Sequence, residues 1–260
     1  MSIEDFGLDR PYGQSERWVL LGDITSSTQF SAEMAAFGAE RQEQYLHWAT
    51  LFGGLIENML RVVAKRVSRL PGGIIGNTMG DGFLALGVHG HGKPHITRDA
   101  AVLLLKMHSI KMDGDLAISD IRDHILANIR KHVGPASSLP ELKLKLSLNQ
   151  GLVITAFAKD EKPPEGDLPT ERRFVGDTIN YCARVGASAF GQWNDSNLVL
   201  TKRFFAATPN KLQAMLQPYR QQLTVRNYPA KDVHENSEVY VLPLGDQQLW
   251  GNVQGIAASK

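Results

Sequence analysis

The feature that most constrains the fold of this chain is Gly80-Asp81-Gly82, a short glycine-rich segment between two apolar runs. Apolar runs on both sides of such a segment are a strong signal for a β-hairpin. We therefore predict a hairpin over residues 73 to 88, with Asp81 projecting from its tight turn. An aspartate at this place is either a simple turn former or a functional carboxylate.

A second carboxylate stands where another strand should end. Residues 17 to 24 are nearly all apolar until Asp23, so the strand predicted there carries an acidic group at its buried end. Burying a carboxylate is costly unless a cation lies beside it, although Asp23 could instead cap the next helix. Two carboxylates on neighbouring strands would repel each other, whereas a pair of Mg²⁺ or Mn²⁺ ions would hold both ionised and collect phosphate oxygens.

A third segment, residues 176 to 184, supplies an amide and a guanidinium group. Asn180 and Arg184 are four residues apart, which places both side chains on one face of a helix. An arginine donates to two oxygens at once and stays charged, so it suits the recognition of phosphate. Together with the two carboxylates, this pair suggests two-metal chemistry on a nucleoside triphosphate.

The order of the predicted elements indicates an α/β (α+β) domain. A strand over residues 17 to 24, a helix over residues 32 to 66 and the hairpin form the β-α-β-β order with which ferredoxin-like folds begin. A charged, proline-containing stretch over residues 158 to 172 is typical of a surface loop. The other predicted elements are helices over residues 97 to 112, 116 to 131 and 180 to 189, and strands over residues 142 to 154 and 238 to 242.

Composition favours one domain that works inside the cell. With 260 residues, of which 43% are hydrophobic, the chain can bury the core of one sizeable domain. A net charge of +1 gives no reason to expect nucleic acid or an anionic membrane as a partner. The single cysteine, Cys182, fits a reducing cytoplasm, and no apolar stretch or leader predicts a membrane span or export.

The three segments, taken in order, resemble the catalytic domain of class III nucleotidyl cyclases, the family of adenylate and guanylate cyclases. That family has a strand ending in Asp-Ile, then Gly-Asp-Gly-Phe on a hairpin, then Gly-x-x-Val-Asn-x-Ala-x-Arg. The resemblance covers about residues 17 to 244, which leaves an N-terminal arm over residues 1 to 16 and a C-terminal tail over residues 245 to 260. It implies a ferredoxin-like domain, with helices packed on a mostly antiparallel central sheet, that forms a head-to-tail homodimer.

The resemblance implies a role for each motif residue. Asp23 and Asp81 would be ligands of two divalent metal ions, Mn²⁺ or Mg²⁺, with the Ile24 carbonyl oxygen as a further ligand. Asn180 and Arg184 would orient the ribose and stabilise charge on the α-phosphate while the 3′-oxygen attacks it. In the family, the metal ligands and the Asn-Arg pair of one site come from different protomers, so a homodimer would carry composite sites at its interface.

The family also holds the triphosphate with a lysine in a late hairpin, nine residues before an aromatic residue. Lys231 fits this spacing, because it precedes Tyr240 by nine residues. The glycine that usually follows the lysine is replaced by Asp232, and Arg226 is the alternative candidate.

The two positions that read the base in purine-specific cyclases carry different residues here. The first is lysine in adenylate cyclases and Asn77 in this chain, and the second is often aspartate in the family and Arg173 in this chain. Asn77 and Arg173 offer a surplus of donors, so a base edge rich in carbonyl acceptors fits better than adenine, and uracil is the best candidate. Guanine also accepts from arginine, and Arg173 could instead point into solvent.

A bare catalytic domain with such residues resembles the bacterial Pycsar pyrimidine cyclases, which make cyclic UMP or cyclic CMP as an alarm against phage infection. The resemblance implies a cytoplasmic cyclase of antiphage defence with UTP as the favoured substrate. Other interpretations remain open: a cyclase specific for CTP, ATP or GTP, an inactive nucleotide-binding dimer, or a palm of the polymerase or diguanylate-cyclase kind. A palm would have no use for the Asn180 and Arg184 pair.

Overall fold

The computed structural model describes residues 8–70, 72–88, 96–133, 139–158, 172–190, 192–193 and 197–259. The surface loop predicted over residues 158 to 172 falls almost entirely outside these ranges, as do residues 1 to 7 of the predicted arm. Within the described ranges, every helix is too short or too polar to cross a bilayer.

A single mixed sheet forms the centre of the fold. Its strands follow the order β2-β3-β1-β4-β6-β8-β7, and β5 pairs with β4 outside this order. Neighbouring strands run antiparallel except β4 and β6, which are parallel. The strands are β1 Leu8–Ile24, β2 Ile74–Met79, β3 Gly82–Gly87, β4 Leu144–Ala158, β5 Arg172–Val175, β6 Asn197–Thr201, β7 Arg220–Arg226 and β8 His234–Pro243.

Seven α-helices occur in the described residues, and both faces of the sheet carry helices. Helices α1, α2, α3 and α7 contribute to the larger core on one face, and α4 packs on the other face. The helices are α1 Ser27–Gly38, α2 Gln42–Val67, α3 Ile96–Val133, α4 Asp177–Ala189, α5 Lys202–Ala207, α6 Asn210–Leu216 and α7 Gln247–Ala258.

Burial on both faces explains why β1 reads as a continuous apolar run. Trp18 and Leu20 belong to the larger core, whereas Val19 and Leu21 pack with Cys182 of α4 on the opposite face. Because side chains alternate along a strand, Asp23 follows Val19 and Leu21 on the face that α4 covers. The position of the acidic group relative to α4 is therefore set by the register of β1.

The hairpin predicted over residues 73 to 88 is present as β2 and β3, and Gly80 occupies its turn with a φ of 63°. Strand β1 begins at Leu8 and is longer than the strand predicted over residues 17 to 24. The helix predicted over residues 32 to 66 is divided into α1 and α2 by a short break after Gly38.

The prediction of two helices over residues 97 to 112 and 116 to 131 is wrong, because α3 is continuous from Ile96 to Val133. Gly114 lies inside this helix, where a Cβ atom would come within 2.6 Å of Leu144 Cδ2. The glycine therefore allows α3 to lie close to β4, and it does not end the helix. On either side of it, Asp113 pairs with Arg66 of α2, and Asp115 accepts a 2.7 Å hydrogen bond from the Leu144 amide.

The segment predicted to be a C-terminal tail over residues 245 to 260 contains helix α7, and this part of the prediction is corrected. The Asp246 side chain caps the helix by accepting a 2.9 Å hydrogen bond from the Leu249 amide. Leu249, Trp250 and Val253 are buried in the larger core. Their spacing places them on one face, which packs against α3.

Candidate active site

The end of β1 and the turn of the hairpin bring the two predicted carboxylates together. Strand β1 pairs with β3 so that Gly22 lies opposite Phe83. Gly22 directly precedes Asp23, and Phe83 follows Asp81 by two residues. A Cβ atom at Gly22 would lie 2.2 Å from Phe83 Cε1, so only glycine lets the Phe83 ring pack over the strand. This close approach carries Asp81 to the strand end that bears Asp23.

The electrostatic environment of Asp23 shows that the two carboxylates interact. Burial of the carboxyl group and the neighbouring charge of Asp81 raise the pKa of Asp23 above its ordinary value, while Lys145 and the Ile24 amide lower it. The hydroxyl group of Ser27, at the start of α1, donates a hydrogen bond to Asp81. Two carboxylates, an exposed one at Asp23 and a half-buried one at Asp81, thus interact at the end of β1.

The donor set at this position fits a divalent cation of the magnesium or manganese type. Carboxylate and carbonyl oxygens are the ligands that such hard cations prefer, and a bound cation would remove the repulsion between Asp23 and Asp81. Across the part of the chain that the structure describes, no group of three or more His, Cys, Asp or Glu residues gathers as a metal site would. Because two carboxylates are too few to surround such an ion, the Ile24 carbonyl oxygen and substrate oxygens would complete its coordination.

Asp23 lines a cleft of about 330 Å³ that also contains a lysine missed by the sequence analysis. Lys145 lies directly opposite Asp23 in the pairing of β1 with β4, and its Nζ atom lies 5.8 Å from the centre of the Phe190 ring. The available signal was the alternation of Leu144 and Leu146, which puts Lys145 on the opposite face of β4. The remaining residues that line the cleft are Leu21, Gly22, Gly82, Ser147, Ala183, Gly186 and Ala187.

Helix α4 is fixed to the sheet through its first turn. The buried Asn149 side chain donates a 2.7 Å hydrogen bond to the Thr178 carbonyl, and the Thr178 hydroxyl donates to the Leu152 carbonyl at 2.7 Å. A 2.6 Å hydrogen bond from Thr201 Oγ1 to Asn149 Oδ1 extends this chain of contacts to α5. Two hydrogen bonds therefore join the first turn of α4 to β4, and a third holds the Asn149 side chain that makes one of them.

Asn180 and Arg184 lie on α4 with exposed side chains, as their four-residue spacing predicts for one helix face. Among the described residues, neither side chain has a hydrogen-bond or ion-pair partner. Arg184 lines a second cleft, of about 480 Å³, between α4 and the end of β7. Asp23 lines the first cleft, so the acidic and cationic parts of the predicted site face different openings of a single chain.

Arg226, and not Lys231, is the cation beside Arg184. Arg226 ends β7 and lines the Arg184 cleft, and its backbone amide donates a 3.0 Å hydrogen bond to Ser188 Oγ of α4. Lys231 lies exposed in the connection between β7 and β8 and does not contribute to the lining of this cleft.

The two predicted base-reading positions lie on strands that meet. Asn77 pairs opposite Leu84 in the hairpin, and Arg173 of β5 pairs opposite Ala156 of β4. The Asn77 and Arg173 side chains are outside the described part of the chain. Their neighbours are in contact, because a Cβ atom at Gly76 would lie 2.8 Å from the Phe174 ring.

Solved structures of nucleotidyl cyclases are similar to this chain. The guanylyl cyclase Cya2 matches it with a TM-score of 0.55 and 15% identity, over 92% of this chain and 97% of that one. Adenylate cyclases from Trypanosoma brucei match with a TM-score of 0.54 and 14% identity, over 92% and 93% of the two chains. A bacterial light-regulated adenylyl cyclase matches with a TM-score of 0.51 and 14% identity, over 96% of this chain but 58% of its own length.

No protein-family model matches the sequence, and neither does any curated protein. Identities of 14 to 15% are too low to transfer a substrate or a residue role, but the structural match extends over nearly the whole chain. The predicted fold class is confirmed: the chain has the α+β fold, with a mixed and mostly antiparallel sheet, of the catalytic domains of class III adenylyl and guanylyl cyclases.

Proposed function

We propose that the protein is a metal-dependent nucleotidyl cyclase, which converts a nucleoside triphosphate to its 3′,5′-cyclic monophosphate and pyrophosphate. The observation that carries this proposal is that Asp23 interacts with Asp81 and lines a cleft that also contains Lys145. A turn former and a helix cap would not need to lie so close to each other. The fold supports the proposal, because two solved structures matched over more than 90% of both chains are of cyclases.

In the proposed mechanism, Asp23, Asp81 and the Ile24 carbonyl hold two divalent ions, Mn²⁺ or Mg²⁺. When bound, these ions would lower the charge barrier to in-line attack of the 3′-hydroxyl on the α-phosphate. Lys145 lines the same cleft as Asp23 and would bind phosphate oxygens there. Arg184 would donate two hydrogen bonds to the α-phosphate oxygens, where negative charge accumulates as pyrophosphate leaves.

A homodimer is part of the proposal. Arg184 and Asp23 line different clefts, which adjoin at Ala187, and in the proposed dimer the Arg184 side chain of a second copy would reach the first cleft. Asn180 and Arg184 are exposed on one face of α4. In a dimer with twofold symmetry each chain would then supply the acidic half of one site and the cationic half of the other.

We propose UTP as the favoured substrate and antiphage signalling in the cytoplasm as the role of the product. The positions of Asn77 and Arg173 on adjoining strands support a shared task for them. The test is incubation of the purified protein with Mn²⁺ and each of the four triphosphates separately, with the products resolved by mass. Cyclic UMP as the main product supports the proposal, whereas nucleotide binding without any cyclic product would indicate an inactive dimer.

Replacing Arg173 with alanine should weaken the preference for UTP by about tenfold or more, because one bidentate or charge-assisted contact to the base is worth about 1–3 kcal/mol. The measurement is kcat/KM for UTP, CTP and GTP in parallel. Substitution of the neighbouring Arg172 is the matched control and should change all three values equally. An unchanged ratio in Arg173→Ala would show that this side chain does not read the base.

Replacing Arg226 with alanine should raise KM for the triphosphate by about tenfold, because a charge-assisted hydrogen bond to phosphate is lost. Lys231→Ala should leave KM close to the wild-type value, since Lys231 stands away from the Arg184 cleft. Steady-state kinetics of both variants decide between the two residues. The reverse result would restore Lys231 as the triphosphate ligand.

A further inference from the structure

A cluster of five polar and aromatic residues joins four parts of the chain and has no role in the function proposed so far. We call Asp177, Tyr181, Arg203, Tyr228 and Ser237 the junction cluster. Asp177 and Tyr181 lie on α4, Arg203 on α5, Tyr228 in the connection between β7 and β8, and Ser237 on β8. The cluster lies at the beginning of the helix that carries Asn180 and Arg184.

The Asp177 carboxylate is the centre of the junction cluster. The Tyr228 hydroxyl donates to Asp177 Oδ1 at 2.6 Å, and Arg203 Nη1 donates to Asp177 Oδ2 at 2.6 Å. Burial alone would raise the pKa of Asp177, but the hydrogen bonds from Tyr228 and Arg203 hold it below its ordinary value. Asp177 is therefore ionised at neutral pH and accepts on both oxygens.

Ring contacts add to the hydrogen bonds of the junction cluster. The Arg203 guanidinium lies 4.5 Å from the centre of the Tyr181 ring, and the Tyr181 and Tyr228 rings meet edge to face at 4.9 Å. The Tyr181 hydroxyl is hydrogen-bonded to Ser237 in a buried position. Tyr228 is 6% exposed, so its ring can hold the connection in one place.

Global stability is a poor explanation for this arrangement. The side chains of Arg203 and Asp177 are 44% and 56% exposed, and ion pairs so exposed contribute little to folding. What the cluster does define is the distance between α4 and the end of β7. Tyr228 follows Arg226 by two residues, and Asp177 precedes Arg184 on the other side of the second cleft.

That distance matters because the second cleft contains two guanidinium groups of like charge. In the described part of the chain, neither the Arg184 nor the Arg226 side chain has an acidic partner, so mutual repulsion favours opening of the cleft. The amide of Arg226 donates to Ser188 across the cleft, and the Tyr228 amide donates to the Val233 carbonyl at 2.9 Å within the connection. Neither of these two contacts includes a side chain of the junction cluster.

We propose that Asp177 and Tyr228 are positioning residues that keep Arg184 and Arg226 at the spacing at which one triphosphate can bind both. The inference rests on the proposed function, because it assumes that a nucleotide binds between these arginines. Asp177 and Tyr228 act through the arginines and do not themselves contact the nucleotide.

The test compares Asp177→Asn, Tyr228→Phe and the double variant with the wild type. We expect each single variant to lower kcat about tenfold and to raise KM, because misplacement of catalytic groups is costly even when they are retained. The double variant should be no worse than the more damaging single variant, since Asp177→Asn removes the charge to which Tyr228 and Arg203 both donate and Tyr228→Phe removes one of those two donors. Tyr219→Phe is the matched control, because it removes a 2.5 Å Tyr–Asp hydrogen bond, to Asp246, far from the cleft.

Hydrogen exchange supplies a readout that does not depend on turnover. Without nucleotide, the amides of Arg226, Tyr228 and Val233 should exchange at least about fivefold faster in Asp177→Asn than in the wild type, and at unchanged rates in Tyr219→Phe. Unchanged exchange, additive losses in the double variant, or faster exchange with unchanged kinetics would each overturn the inference. A wild-type protein that makes no cyclic nucleotide would instead refute the proposed function, while exchange would still report whether the cluster holds the connection.

Discussion

Replacing Asp81 with asparagine should abolish formation of the cyclic product while the fold stays intact. Asparagine keeps the size of the side chain and can still accept from Ser27, but it removes one of two carboxylates that would hold the metal ions. We expect kcat/KM to fall by about a thousandfold or more, because charge neutralisation by the ions supplies much of the rate. Product analysis by mass after incubation with UTP and Mn²⁺ measures the loss.

The same variant should separate metal binding from stability. In the absence of metal, Asp81→Asn should melt no lower than the wild type, because the charge of Asp81 adds to burial in raising the pKa of Asp23 and is removed by the substitution. Addition of Mn²⁺ should raise the melting temperature of the wild type but not of the variant, since only a protein that binds the ion is stabilised by it.

A matched control for this experiment is Asp120→Asn, which changes an exposed carboxylate on α3 and should leave both measurements as in the wild type. Full activity of Asp81→Asn would contradict the assignment of a catalytic metal site. A variant that is inactive but still shows the Mn²⁺ effect would place the ion elsewhere.

Mixing two inactive variants should restore activity. Asp81→Asn lacks the acidic half of the site and Arg184→Ala lacks the cationic half, so each variant alone should have almost no activity. If the chains exchange freely, half of the dimers will contain one chain of each kind and will have one intact site of two. The mixture should then reach about a quarter of the wild-type activity, as twofold symmetry requires.

The structural reason for this prediction is that Asp23 and Arg184 line separate clefts of one chain. The control mixture of Asp81→Asn with Asp23→Asn should stay inactive, because both chains lack the acidic half. Persistent inactivity of the first mixture, when a tagged pull-down shows that mixed dimers have formed, would mean that each chain builds its own site. A palm-like site would also leave Arg184→Ala fully active on its own.

The parts of the fold that sequence could predict are those with a strong local signal. The hairpin follows from Gly80 in the turn, and β1 follows from a run of residues buried on both faces. The fold class followed from the order of such elements and is confirmed by the structural matches. In contrast, a glycine such as Gly114 usually indicates the end of a helix. Here it lies inside α3 and allows that helix to pack closely against Leu144.

The parts of the candidate site that sequence missed depend on contacts between distant segments. Lys145 becomes a candidate only because β1 and β4 pair in the register that sets it opposite Asp23. Sequence leaves both Arg226 and Lys231 as candidates, and the structure distinguishes them because only Arg226 lines the Arg184 cleft. Tertiary register is not encoded in any short motif, which is why Lys145 could not be predicted.

The contact between Gly22 and Phe83 has a consequence for genome mining. The Phe83 ring is fully buried, so it cannot move aside to make room for a Cβ atom at position 22. A homologue with both acids but alanine or a larger residue in place of Gly22 would have its hairpin pushed away and its two carboxylates separated. Searches for chains that could carry the proposed metal site should therefore require glycine at this position as strictly as the two aspartates.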